Sequence, residues 1–178
     1  MANRRFLLGM LIMVLAFGMT VIGCDNGTTG NGPDPDLNGT WGFTEEGFSL
    51  DYTFNNGSLE ISMNYTPYEK ATYTTSGNKL TMNITHVYGK SYFTEEIGID
   101  LDAKWYTLTE FFAALKTYLM DEEDLTEEEW AEIEPMIQQS IRQGTTMTYS
   151  VNGNTLTLTI DLSQIGGTGT ETIIMTRK

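Results

Sequence analysis

The chain has 178 residues, with 24 Asp+Glu against 10 Lys+Arg and a formal net charge of −14. That length allows one domain plus an appendage, and so acidic a body repels phosphate backbones, which excludes nucleic acid as a natural partner. One cysteine and one histidine exclude an internal disulfide framework, a Cys-rich metal site and a His-built zinc site. No cofactor or metal is expected, and the chain is read as not an enzyme.

The first segment, "MANRRFLLGMLIMVLAFGMTVIGC", opens with two arginines and then runs from Phe6 to Ile22 without a charge. A positive start, an apolar middle and small residues at the end are the layout of a signal peptide over 1–23. Its last residues, Val21-Ile22-Gly23-Cys24, resemble a lipobox, the processing motif of bacterial lipoproteins. The resemblance implies cleavage before Cys24, lipidation of its sulfur with palmitate-type acyl chains, and anchoring to a membrane of the cell envelope outside the cytoplasm. Each buried methylene of such a chain contributes ~0.8 kcal/mol. Without residues 1–23, eight Lys+Arg face 24 Asp+Glu, a balance of −16 that keeps the body soluble. The following "DNGTTGNGPDPD" has nothing apolar to pack, so 24–36 is expected to be a flexible, lipidated tether with a reach of roughly 20 Å.

From Leu37 the pattern becomes period two. "FSLDYTFN" alternates Phe48, Leu50, Tyr52 and Phe54 with polar residues, and "SLEISMNY" does the same with Leu59, Ile61, Met63 and Tyr65. "KLTMNITHVY" places Leu80, Met82, Ile84 and His86 in one phase, and "TLTLTIDL" places Leu156, Leu158, Ile160 and Leu162. Strict alternation rich in Thr, Ile and Tyr predicts antiparallel strands with one buried face. Strands are expected at 39–45, 48–55, 58–65, 71–76, 79–88, 91–101, 145–152, 155–162 and 170–177. Asn56-Gly57 predicts a tight hairpin, and Ser76-Gly77-Asn78 and Asn152-Gly153-Asn154 predict slightly longer ones. "YTTSGNKLTMNI" (Tyr73–Ile84) and "YSVNGNTLTLTI" (Tyr149–Ile160) spell the same strand–turn–strand unit, one turn solution used twice. Short connections imply a meander, and closing it into a barrel removes both exposed edges.

One stretch breaks the alternation. "TLTEFFAALKTYLM" puts Leu108, Phe111, Phe112, Leu115, Tyr118 and Leu119 on one helical stripe, and Thr107 with Glu110 has capping-box spacing. Thr126 with Glu129 repeats that spacing before a second stripe of Trp130, Ile133, Ile137 and Ile141. Pro135 should kink or split this helix, and Gly144 is a stop. A helical pair at about 107–143 is therefore expected as an insertion between strands.

"LNGTW" (Leu37 to Trp41) carries the Gly-x-Trp that opens the first strand of lipocalins and related calycin barrels, and Arg177 in "IIMTRK" stands where that family has an Arg packed across the Trp. The chain resembles a bacterial lipocalin-like lipoprotein over roughly 37–106 and 145–178. The resemblance implies an up-and-down barrel of about eight to nine strands over 37–178, with Trp41 and Arg177 closing its base. It departs from the family in carrying two helices before the final strands.

Catalytic and metal motifs are not found. His86 shares the phase of Ile84 and Met82 and is expected to face inward, with no second His to join it. Nine acids between Asp121 and Glu134 lack EF-hand spacing and read as a solvated helix face. The aromatic residues of the apolar phases are the candidate ligand contacts: Tyr52, Phe54, Tyr65, Tyr73 and Tyr149, with His86. Two functions follow. In the first, a membrane-anchored barrel binds a small apolar or amphipathic ligand, its tyrosines orienting the ligand and the helices forming a lid. In the second, the barrel is filled and the chain is a non-enzymatic structural or protein-interaction module. Cys24→Ala is expected to leave the chain unprocessed or release it in soluble form. Fractionation with intact-mass measurement checks this, and processed, membrane-attached C24A would contradict the lipobox.

Overall fold

The computed structural model describes residues 32–91, 94, 99–122, 125–142, 145–162 and 168–178. Cys24 lies outside them. Among the described residues, strands form at Gly39–Glu45 (β1), Phe48–Asn55 (β2), Ser58–Met63 (β3), Thr66–Ser76 (β4), Lys79–Tyr88 (β5), Trp105–Thr107 (β6), Thr145–Asn152 (β7), Thr155–Asp161 (β8) and Thr170–Arg177 (β9). Helices span Leu108–Glu122 (α1) and Glu127–Arg142 (α2). The sheet order is β4-β3-β2-β1-β9-β8-β7-β5-β6, and β4 also pairs with β5. Eight strands thus close into an antiparallel up-and-down barrel, with β6 added outside the ring.

Three two-residue turns gather at one end, the base. At Asn56-Gly57 both residues have positive φ (45° and 92°), the backbone a type I′ hairpin demands, which is why Asn and Gly stand there. The connections at 77–78 and 153–154 are equally tight, one residue shorter than expected, each led by a positive-φ glycine.

Closure occurs between β1 and β9, where Trp41 pairs with Arg177 and Gly42 with Thr176. The Arg177 guanidinium lies 4.1 Å over the Trp41 ring. It also donates to the carbonyls of Asn38 (2.6 Å) and Asp36 (2.9 Å). Trp41 Nε1 donates to Leu37 O at 2.7 Å, and Trp41 and Leu37 are wholly buried. Gly39 has φ +121°, and a Cβ there would come within 3.0 Å of Arg177 Nη1. The glycine of Gly-x-Trp is therefore required by its backbone and by the arginine.

The last residues of the expected tether lie against this base. Gly32 bridges to Thr75, and Pro35–Leu37 form a 3-10 turn capped by Asp34. Tyr149 donates its hydroxyl to Asp34 Oδ2 at 2.7 Å. The segment from Gly32 thus crosses and plugs the base, with Leu37 as the stopper.

The other end, the mouth, is less regular. Strand β5 pairs with β7 only over Lys79–Met82 and with β6 only over His86–Tyr88. The barrel wall therefore forks between β5 and β7, and the insertion fills the fork: β6 and α1 pack on β5, and α2 on both α1 and β5. Both capping boxes form, with Thr107 N–H to Glu110 Oε2 at 2.8 Å and Thr126 N–H to Glu129 Oε2 at 2.9 Å. Lys116 and Glu127 tie the two helices together at 2.7 Å. Phe111, Phe112, Leu115, Leu119 and Trp130 build a second core with Val87 and Tyr106.

Three expectations are corrected here. Of the strand expected at 91–101, the described positions 91, 94 and 99–101 are not strand, and the chain instead pairs at β6. Helix α2 runs through Pro135 and is not split by it; a proline removes one hydrogen bond, and the buried Trp130 anchors the turn before it. Strand β3 ends at Met63 and β4 begins at Thr66, with Asn64 and Tyr65 forming the turn.

Trp41→Ala is expected to destabilise the fold by ~3–5 kcal/mol, the usual cost of removing a fully buried large aromatic. Chemical denaturation checks it; a wild-type midpoint would contradict the closing role of the ring.

Candidate functional site

Burial falls steeply from base to mouth. Leu37, Trp41, Leu80, Leu156 and Met175 are wholly buried, and Phe54 and Tyr73 nearly so. Their rings pack edge to face, 5.1 Å apart. The inward residues nearest the mouth, Phe43, Phe48, Met63, Ile160 and Ile173, pack against this core yet are only half-buried. The base end holds the wholly buried residues, with Val151 partly buried beside them, whereas the upper interior is an apolar ring still in contact with solvent.

Two irregularities shape that upper interior. The β3–β4 register shifts between Ile61 and Ser62, leaving Tyr68 as an extra residue in β4. The β4–β5 register shifts between Lys70 and Ala71, leaving Thr85 as an extra residue in β5. A bulge of one residue exchanges the two faces of a strand beyond it. Past Thr85, Val87 turns inward and His86 turns outward, opposite Lys70 and Thr107. His86 is thus corrected from an inward to an outward position, with Nδ1 3.0 Å from Thr85 Oγ1. Its outer-face neighbours are Lys70, whose ammonium lies 4.2 Å over the Trp105 ring, and Tyr88. Tyr65 is corrected as well: it is 82 % exposed, in the β3–β4 turn, with a positive φ of 64°.

The other expected contacts do face inward, at different depths. Tyr52 is in the middle of the barrel, its ring 6.1 Å from Phe54. Phe54 and Tyr73 belong to the packed base, where the Tyr73 hydroxyl is buried without a well-formed hydrogen bond among the described residues. Tyr149 is tied to the base through Asp34, and burial together with that carboxylate pushes its hydroxyl up to about 12. These last three are structural residues of the plugged end.

What the alternation of apolar residues conceals is Glu69. Successive register pairs run Trp41–Tyr52, Tyr52–Ile61, Ile61–Glu69, Glu69–Val87 and Val87–Tyr106. Residues directly opposite in an antiparallel sheet share a face, so these six form one inward belt, and Glu69 is its single carboxylate. Burial raises the Glu69 carboxyl from 4.5 to about 7. The residue nevertheless keeps accessible surface. Glu69 thus faces the interior at a point that solvent still reaches. Tyr52 and Tyr68 flank it, and both hydroxyls are raised by burial first and by the Glu69 charge second. Among the described residues none of these three groups forms a hydrogen bond or ion pair. Tyr68 packs against both hydrophobic cores, so this group of residues sits where barrel and helical insertion meet.

Glu69 was findable by counting back from Tyr73 in "PYEKATY", where Tyr73, Ala71 and Glu69 share a phase. Among the described residues no three His, Cys, Asp or Glu gather to hold a metal ion, and no helix is long and apolar enough to cross a membrane. Compared with protein-family models, curated proteins and solved structures, the chain matches none.

The raised Glu69 carboxyl has a thermodynamic consequence. Between 4.5 and about 7 the folded chain holds a proton there that the unfolded chain has released, so this residue's contribution to stability falls as pH rises through that window. Glu69→Gln is expected to flatten the decline and to stabilise the fold above pH ~7 by up to about 3 kcal/mol. Urea midpoints of both proteins across pH check this, and parallel profiles would contradict a desolvated carboxylate.

Proposed function

We propose that this chain is a lipid-anchored protein of the cell envelope whose barrel binds a small apolar or amphipathic molecule. The anchor rests on the Val21–Cys24 motif and the charge-free run before it. The binding role is supported above all by the contrast between a buried base and a mouth whose inward apolar ring stays half-exposed. A folded domain ordinarily buries such a ring; leaving Phe43, Phe48 and Met63 in contact with water costs burial energy of about 25 cal/mol per Å² unless something covers them. Ligand sites are concave and mostly apolar, with a few polar groups to fix orientation; we assign such a recess to the mouth, with Glu69, Tyr52 and Tyr68 as its polar groups. The helical pair wedged between β5 and β7 acts as a side wall and lid.

The full chain is expected to bind the neutral apolar dye N-phenyl-1-naphthylamine with one site and enhanced fluorescence. Met63→Asp, at the half-buried rim, is expected to weaken binding by about ten-fold or more, since a carboxylate there opposes transfer of an apolar ligand. The absence of any saturable dye binding by the folded chain would overturn the assignment.

A further inference from the structure

We infer that the recess selects an amphipathic molecule carrying a protonated amine, its apolar chain lying against Phe43, Phe48 and Met63 and its ammonium meeting the Glu69 carboxylate between Tyr52 and Tyr68. This rests on the binding role proposed above and adds the charge of the ligand.

The register belt carries the inference. Glu69 is held between Ile61 on β3 and Val87 on β5, with Tyr52 one strand further on and Tyr106 beyond Val87. Each of these neighbours presents an apolar or phenolic side chain. The groups of α1 that join the adjoining core, Phe111, Phe112, Leu115, Leu119 and Tyr118, are apolar or phenolic as well. The nearest cation along the chain, Lys70, is on the opposite face of β4, over Trp105 and 3.7 Å from Glu60. Lys104 lies over the Tyr106 ring, 4.7 Å from its centroid, and among the described residues no Lys or Arg forms an ion pair with Glu69.

An unpaired carboxylate in such surroundings is unfavourable, and opposite charge is what relieves it. An ammonium supplies that charge and three donors, which match a carboxylate and two phenolic oxygens. Flanking aromatic faces favour the same cation. An anionic head would meet a carboxylate in a chain of net charge −14. A neutral head would leave the carboxylate as it is.

The sign of the pH dependence follows. With the carboxyl raised by burial to about 7, the free protein holds it largely protonated below that pH and ionised above. An ammonium head, protonated throughout, needs the ionised form, so its affinity rises as pH increases through 7. Tyr52 and Tyr68, pushed upward, stay neutral over this range.

The test is displacement of bound N-phenyl-1-naphthylamine from the full chain by decylamine, decanol and decanoate, each below its micelle concentration, at pH about 6 and about 8. Decylamine is expected to displace at a concentration about ten-fold lower than decanol at the higher pH, with the advantage shrinking at the lower one, as a charge-assisted hydrogen bond to an ionised group requires. Glu69→Gln, an isosteric change expected to fold, should lose the preference for decylamine over decanol at the higher pH. If all three displace equally in both proteins, or decanoate is preferred, the ammonium assignment is overturned while dye binding still supports the recess. If the dye itself does not bind, the binding role fails and the charge assignment with it.

Discussion

A meander of antiparallel strands is stable alone only if its two edges find each other, and here that meeting is confined to a short seam. Strands β1 and β9 pair at Trp41–Arg177 and Gly42–Thr176. Arg177 reinforces the seam by covering the Trp41 ring and binding the carbonyls of Asp36 and Asn38, so one side chain joins the first strand, the last strand and the segment before the barrel. Each contact excludes an alternative: glycine at 39 leaves space for the guanidinium, and Leu37 fills the opening beneath the indole. With that end sealed, the opposite end is free to be irregular.

The irregularity is concentrated in β4 and β5. One extra residue in each strand, Tyr68 and Thr85, changes which side chains look inward. Between the two bulges lies Glu69, the carboxylate of the inward belt. The fork between β5 and β7 admits the insertion, whose own apolar core begins where the barrel's ends. A regular strand pair here would place His86 inside and Val87 outside. Bulges often re-aim side chains beside functional sites; here they turn Val87 inward beside Glu69 and His86 outward.

Much of this was legible in the sequence because it is local. Period-two alternation located eight strands within a few residues, turn dipeptides located the base hairpins, and the two Thr-x-x-Glu spacings located both helix starts. The seam was legible only through a resemblance, in Leu37–Trp41 and Arg177, and the structure builds it. Tyr65 and His86 were misplaced because phase was carried past the point where a strand ended or bulged. Glu69 was missed because the strand was expected to begin at residue 71, so the phase of Tyr73 and Ala71 was not followed back to it.

The sequence by itself determined the strands, the hairpins and the helical insertion, since each depends on neighbours a few positions apart, whereas the residues that close the base, Trp41 and Arg177, stand at opposite ends of the strand series. Only the tertiary structure decided which strands meet across the fork, where the register slips, and that a lone carboxylate ends inside among tyrosines. A register shift is chosen by the packing of strands brought together from across the chain, and no local pattern encodes the balance between keeping the ladder and filling the space beside it.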